Sequence, residues 1–467
     1  MALHSSGDSE DITRAEYHAM HDPTVFQINH RFKIKLSQLK YFTFTIIGIA
    51  LLWPWNCFLS ASAFYSERFE HSPQLVKIYS STMMSVSTIT SALYNYYLSQ
   101  VQVGVNYKHR VNVGFSMTIG VFIIMAFSCV LNFFISLDDY VFFTGLMIMV
   151  FISAAATCLA QNGTMAIVNV MGDIYANGVM VGQAIAGVLP SIALIVSILI
   201  VGNKKSDADK KNQYVDKNYG VFIYYITASL ISVLSISLLY LTNHHKVENT
   251  YKTLNHMVEE QQPLTSSDED EEEDPEISQK TYVPFVVLWS KLKFIVLTIF
   301  LTFGITLIFP VFASTVGSVQ TESDHILLQR KIFIPFVYLV WNLGDLLGRV
   351  CCGRPRLGVL IKNPKVLLIY SIARIVFIPL FLTCNVYSTS TAKSSAIINS
   401  DTWYLLLQFL FGLSNGQLCT SCFMIVGNNC DTDDEKEAAG GFTAVFLSVG
   451  LAFGSVFSYL LVLMINR

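Results

Sequence analysis

From about residue 41 to about residue 464 the chain repeats one pattern, apolar stretches about 20 residues long separated by polar links. A helix needs about 20 apolar residues to cross a bilayer. Backbone groups in lipid must bond within their own segment, so such stretches fold as helices. We count about eleven, at roughly 41–65, 78–99, 111–136, 140–168, 177–201, 219–242, 291–316, 330–351, 365–386, 402–427 and 438–464. The expected fold is an all-α polytopic membrane protein. Charge usage agrees: 13% of residues are charged, against about 25% in soluble domains.

The longest polar interruption, 243–290, contains the acidic run "DEDEEED", Asp268 to Asp274. A block of like charges repels itself and is expected to form a disordered, solvated linker, with Ser266 and Ser267 as weak candidates for phosphorylation. The expected organisation is a cytosolic tail over 1–40, a six-helix bundle over 41–242, the linker over 243–290 and a five-helix bundle over 291–467. Six plus five spans around a cytosolic loop is the plan of the major facilitator superfamily less one span. Lys and Arg flank the first span and fill the loops after the second, sixth and eighth spans, which places the N-terminus in the cytosol. The C-terminus then lies on the lumenal or extracellular side. Five lysines in "NKKSDADKKNQYVDKN" run against this assignment.

Several function classes drop out. A net charge of −3 gives no reason to expect nucleic acid. Most of the nine cysteines sit inside apolar runs, unlike a disulfide framework. Cys419 and Cys422 form a CxxC without a second pair or a histidine nearby, so small buried residues are expected and no metal. No cofactor is implied. There is no GxxxxGK[ST] phosphate loop to couple nucleotide hydrolysis. The polar start "MALHSSGDSEDITRAEYHAMHDPTVF" does not read as a cleaved signal peptide.

Function is to be sought among polar residues inside the spans, which are costly there and tend to face a cavity or one another. "LLWPWNCFLSA" sets Trp53, Trp55 and Asn56 around Pro54, where a local helix break is expected. Trp55 can offer a flat face and Asn56 an amide to a planar ligand, with interfacial anchoring as the other reading. Gln161 and Asn162 lie in the fourth span, where amides also serve to bond helices together. Asn162 opens a formal glycosylation sequon inside the membrane, expected to be unused. Gly178 and Gly182 suit close helix packing, and Gln183 beside them is a weaker cavity candidate. Arg374 is expected to be structural, reaching the cytosolic side or an acid.

"WNLGDLLGR" is the most charged of these stretches. Asn342, Asp345 and Arg349 share one helical face, and the two charges stand i,i+4. A lone charge at the bilayer centre costs about 2.5–3.5 kcal/mol on insertion scales. Two readings stay open: a ligand site offering an acceptor, an amide and a donor fork, or a salt bridge between bundles.

Five stretches in matching order, "GIALLWPWNCFLSASAFY", "MVGQAIAGVLPSI", "WNLGDLLGR", "FGLSNGQL" and "EAAGGFTAVFLSVGLAFGSV", resemble the equilibrative nucleoside transporters over about 41–465. The acidic linker and "DDEKEAAGGF" are most similar to the fungal vacuolar branch. The resemblance implies eleven spans and a cytosolic N-terminus. It places Trp55 and Asn56 in a central cavity, Gln161 against the base, and Asp345 and Arg349 on the ribose with Asn342 one turn earlier. Leu52 and Leu59 match apolar cavity positions. Trp53 stands where animal members often carry leucine and is expected to narrow the cavity.

The resulting expectation is a transporter, not an enzyme, carrying purine and pyrimidine nucleosides by passive alternating access. Nucleobases are a further candidate cargo, the bilayer is the surrounding partner, and the vacuolar membrane is favoured over the plasma membrane. The rivals are proton-coupled transport and another facilitator-type solute carrier. A carboxylate paired with arginine makes a poor proton carrier, which disfavours the first. The absence of a G-x-x-x-D-R-x-G-R-R loop disfavours sugar and drug carriers. An intramembrane aspartyl protease needs two neighbouring carboxylates, and Arg349 would compete for Asp345.

Overall fold

The computed structural model describes residues 22–29, 32–201, 218–260, 281–319, 326–386 and 397–465. The acidic run, Ser266, Ser267 and the lysine-rich loop after the fifth span lie outside the described residues.

The main helices are α1 (Leu36–Ser60), α2 (Pro73–Gln100), α3 (Tyr107–Ser128), α4 (Asp139–Met171), α5 (Asp173–Val201) and α6 (Tyr219–Glu260). They continue with α7 (Phe285–Thr306), α8 (Arg330–Cys352), α9 (Pro364–Ala373), α10 (Asp401–Ile425) and α11 (Asp433–Ile465). Short helices Ser62–Arg68, Ile308–Thr315 and Phe377–Leu382 prolong α1, α7 and α9. Before α1, an antiparallel hairpin pairs Thr24–Asn29 with Phe32–Lys35, an element the sequence reading did not anticipate.

Nine helical stretches among the described residues are long and apolar enough to cross a membrane. The two expected spans outside that set are α2 and α10, helices of 28 and 25 residues. Both are long enough at about 1.5 Å per residue but more polar. Ser87, Thr88, Ser91 and Asn95 of α2 line a cavity, and α10 buries Gln408, Ser414, Asn415, Thr420 and Ser421. Polar groups turned inward in this way lower hydropathy without facing lipid.

Helix contacts fall into two groups. In the first, α1 packs on α5 and α6, α3 on α4 and α6, and α2 on α4. In the second, α8 packs on α10, and α7 on α9, α10 and α11. The groups meet where α5 lies against α8 and α10, and where α11 lies against α2 and α4. The closest approaches need glycine. A Cβ on Gly182 would fall on the Thr45 carbonyl of α1, and one on Gly416 on the Asp345 carbonyl of α8. Small residues let helix backbones come this near.

Three expectations change. Helix α6 runs on to Glu260 and α7 begins at Phe285, so both reach into the stretch expected as a linker. Helix α1 runs through Pro54 and ends only at Ala61. A proline interrupts one backbone bond, and the packed surroundings keep the rest of the helix in place. Arg374 does not reach the surface and pairs with no acid among the described residues. It is 1% exposed, donates to Ser414 Oγ at 3.1 Å and to the Thr302 and Phe411 carbonyls at 3.3 Å, and lies 4.6 Å over the Phe411 ring. Carbonyl dipoles and an aromatic face stabilise a buried guanidinium in place of a carboxylate.

Candidate functional site

Two cavities lie where the helix groups meet. The smaller, of 270 Å³, is lined from the first group by Leu52, Trp55, Asn95, Gln161 and Gln183, and from the second by Phe303 and Ser448 among others. The larger, of 640 Å³, is lined by Leu52, Asn56, Leu59, Tyr338, Trp341 and Asn342 among others. Leu52 belongs to both, so the cavities adjoin.

Helix α1 supplies much of this lining because Leu52, Trp55, Asn56 and Leu59 recur at helical spacing. Trp55 is half-buried beside the smaller cavity. The Asn56 amide donates to the Ala186 carbonyl of α5 at 2.7 Å, and Leu59 is 43% exposed in the larger cavity. Trp53 points the other way. It is buried, donates its indole N–H to Thr227 Oγ1 at 2.8 Å and packs against Tyr224, so it lines neither of the two cavities. Adjacent helical residues diverge by about 100°, which separates Trp53 from Trp55 by about 200°.

The two amides of α4 split likewise. Gln161 lines the smaller cavity and makes no hydrogen bond among the described residues. Asn162 is buried, and its Oδ1 accepts from Arg110 at 2.6 Å.

The polar face of α8 divides between two environments. Asn342 lines the larger cavity and donates to Ser191 Oγ of α5 at 3.1 Å. Asp345 and Arg349 are 3% and 7% exposed and line neither cavity. Arg349 Nε donates to Asp345 Oδ2 at 2.8 Å, while Asn415 donates to Asp345 Oδ1 at 2.7 Å. The remaining guanidinium reach goes to α5, to the Met180 carbonyl at 2.9 Å and Gln183 Oε1 at 3.5 Å. The pair is thus structural in this conformation, and Gln183 joins it to the cavity wall.

Further bonds between the helix groups cluster on the side where α1 and α5 begin. Asn177 of α5 donates to the Arg349 carbonyl at 2.8 Å, and Asn169 of α4 to the Lys436 carbonyl at 3.1 Å. The Gln102 amide both accepts from Val283 N–H at 2.9 Å and donates to its carbonyl at 3.1 Å. We call this the first face. Towards the opposite, second face the groups part around the larger cavity. There Phe309 stacks on Trp341 at 4.5 Å, with Tyr338 edge-on to Phe309 at 4.8 Å.

Sequence reasoning weighed Gln183 without choosing it and missed Asn95, Asn415, Tyr338 and Trp341. Only Asn415 carried a local signal, the Ser-Asn-Gly of α10. The others become cavity residues through neighbours distant in sequence.

Two closely packed helix groups meeting over central cavities define a fold of the facilitator type. The fold is similar to that of the major facilitator superfamily proton:xylose symporter XylE, at TM-score 0.55 and 11% identity, covering 92% of this chain and 88% of that one. It is also similar to a bacterial homologue of the iron transporter ferroportin in an outward-facing state, at TM-score 0.54 and 11% identity, covering 91% and 97%. The family described as "Nucleoside transporter" matches residues 146–463. Relatives include the nucleoside transporter FUN26 of Saccharomyces cerevisiae, 39% identical with 92% of this chain and 86% of that protein covered. The human equilibrative nucleoside transporter 1 is 24% identical, with 89% and 95% covered. The chain belongs to the nucleoside transporter family and is a multi-pass integral membrane protein.

Proposed function

We propose that this protein carries nucleosides across a membrane by passive alternating access, with the smaller cavity as the transport site. The carrying observation is that cavity's lining: Trp55 offers a flat face, and Gln161 an amide with no hydrogen-bond partner among the described residues. Gln161 is half-buried and open to the cavity, so its amide is available to donate to and accept from a ligand. At 270 Å³ the cavity lies just below the usual range for small-molecule sites, about 300–1,000 Å³.

The conformation supports the mechanism. Asp345, Arg349, Asn177, Asn169 and Gln102 hold the first face shut while the groups part towards the second. Rocking of bundle 41–242 against bundle 291–467 would break these bonds and expose the site to the first face. In our reading, Asp345 and Arg349 alternate between closing the first face and meeting the sugar, with Asn342, Asn56, Leu52 and Leu59 along the entry path. Nucleobases are the second candidate cargo. We assign the first face to the cytosol, the C-terminus to the lumenal side and the protein to the vacuolar membrane. We assign it no catalytic role.

The test is uptake by purified protein in liposomes, with nucleosides, nucleobases and sugars side by side. Saturable uridine and adenosine uptake without ATP is the expected result. Competition by glucose but not adenosine would overturn the substrate assignment.

A further inference from the structure

The family resemblance assigned no role to α2, yet one residue of that helix is unusually placed. Asn95 is 4% exposed and lines the smaller cavity. Its Nδ2 donates to Ser448 Oγ of α11 at 2.6 Å, across the junction of the helix groups. Its Oδ1 is buried and has no hydrogen-bond partner among the described residues. A buried acceptor left unpaired is unfavourable, and of the eight buried unpaired polar atoms among the described residues Asn95 Oδ1 is one of two whose residue lines a cavity.

The surroundings say what this acceptor can meet. Ser91, one turn earlier on α2, lines the same cavity, and Cys158 of α4 contacts its carbonyl at 3.9 Å. Cys158 and Gln161 are i,i+3 on α4, and both line the cavity. Asn95 and Gln161 therefore sit on one polar wall, formed where α2 packs on α4. The second helix group contributes Phe303, Leu307, Leu447 and Leu451 to the lining, a mainly apolar set with the hydroxyls of Ser448 and Ser455. A flat ligand with one hydrogen-bonding edge fits this asymmetry. Ser448 fixes the amide by taking one N–H, which leaves Oδ1 unpaired just behind the cavity wall.

We propose that Asn95 is a specificity-determining residue of the transport site, accepting a hydrogen bond from an N–H donor on the nucleobase edge while Ser448 holds the amide in register. This rests on the nucleoside reading above and adds the part of the ligand contacted. A site built to bond a donor rejects an analogue that lacks it far more strongly than an apolar pocket rejects a change in size.

Adenosine and purine riboside form the test pair, since they differ only by replacement of the exocyclic amine with hydrogen. Both are measured in proteoliposomes with the full-length protein. Wild type is expected to favour adenosine by about tenfold in KM, the effect of one buried hydrogen bond. In Asn95→Leu, which keeps the size and removes the acceptor, the preference should fall to about twofold or less. Ser448→Ala should weaken the preference and Ser448→Thr restore it, a rescue that general packing damage would not produce.

Equal KM values for the two ligands in wild type would overturn the proposal without any variant, so misfolding of Asn95→Leu cannot shield it. An unchanged preference in Asn95→Leu would overturn it too. Wild type that transports neither ligand would instead overturn the nucleoside reading.

Discussion

Arg349 of α8 donates to the Met180 carbonyl of α5 at 2.9 Å, across the junction of the two helix groups. The same guanidinium holds Asp345 on its own helix. One side chain therefore ties the most charged stretch of the sequence to the helix that opposes it. Cys419 lies close by, its Sγ 4.0 Å from Met180 Sδ, and is buried.

Arg349→Ala should abolish nucleoside uptake and loosen the first face. Breaking one partner of a buried pair costs about 3–5 kcal/mol, so the variant should also melt earlier in detergent. Alkylation of Cys419, followed by mass spectrometry, should be faster than in wild type. Full uptake with unchanged Cys419 protection would show that the Arg349–Met180 contact closes nothing.

The neighbours Gln161 and Asn162 should give opposite phenotypes. Gln161→Ala removes no protein hydrogen bond among the described residues, so stability should hold while KM for nucleosides rises. Asn162→Ala takes away the 2.6 Å acceptor of buried Arg110. A hydrogen bond to a charged group contributes about 1.5–3 kcal/mol, and that loss should appear as a lower Tm. Equal Tm shifts would contradict the division of roles.

Gly416→Ala should be poorly tolerated although it adds one methyl group. Its Cβ would fall on the Asp345 carbonyl, and a carbonyl on a packed helix cannot move aside cheaply. Overpacking costs about 1–3 kcal/mol and here strikes the helix that carries Asp345 and Arg349. Thermal unfolding checks the first effect and uptake the second. Gly120→Ala, with open space around its Cβ, is the control expected to behave as wild type.

Uptake should change little between about pH 5.5 and about pH 8. No acid or histidine is present among the described residues lining either cavity, and both Asp345 oxygens are engaged by protein donors. Histidine is the side chain that ordinarily titrates in that window. Uptake that rises steeply with acidity in proteoliposomes would favour proton coupling instead.

Much of this is legible in the sequence. Apolar runs about 20 residues long left helices as the solution, because a backbone in lipid must satisfy its own polar groups. Helical spacing correctly set Asn342, Asp345 and Arg349 on one side of α8. The glycine of "VGQ" marked close approach, whereas that of "LSNGQ" showed its role only in the packed structure. What spacing gives is which residues of one helix look the same way, as with Trp55 apart from Trp53 once the phase of α1 is known.

Spacing does not say what lies opposite. Whether Asp345 meets a ligand or Arg349, whether Arg374 finds an acid or three oxygens, and whether Asn95 faces lipid or a cavity depend on helices far apart in sequence. Those pairings arise from packing of whole helix surfaces, which no local pattern encodes. The sequence by itself thus determined a polytopic helical carrier and its polar positions. The tertiary structure decided which of those positions share the cavity and which hold the two halves together.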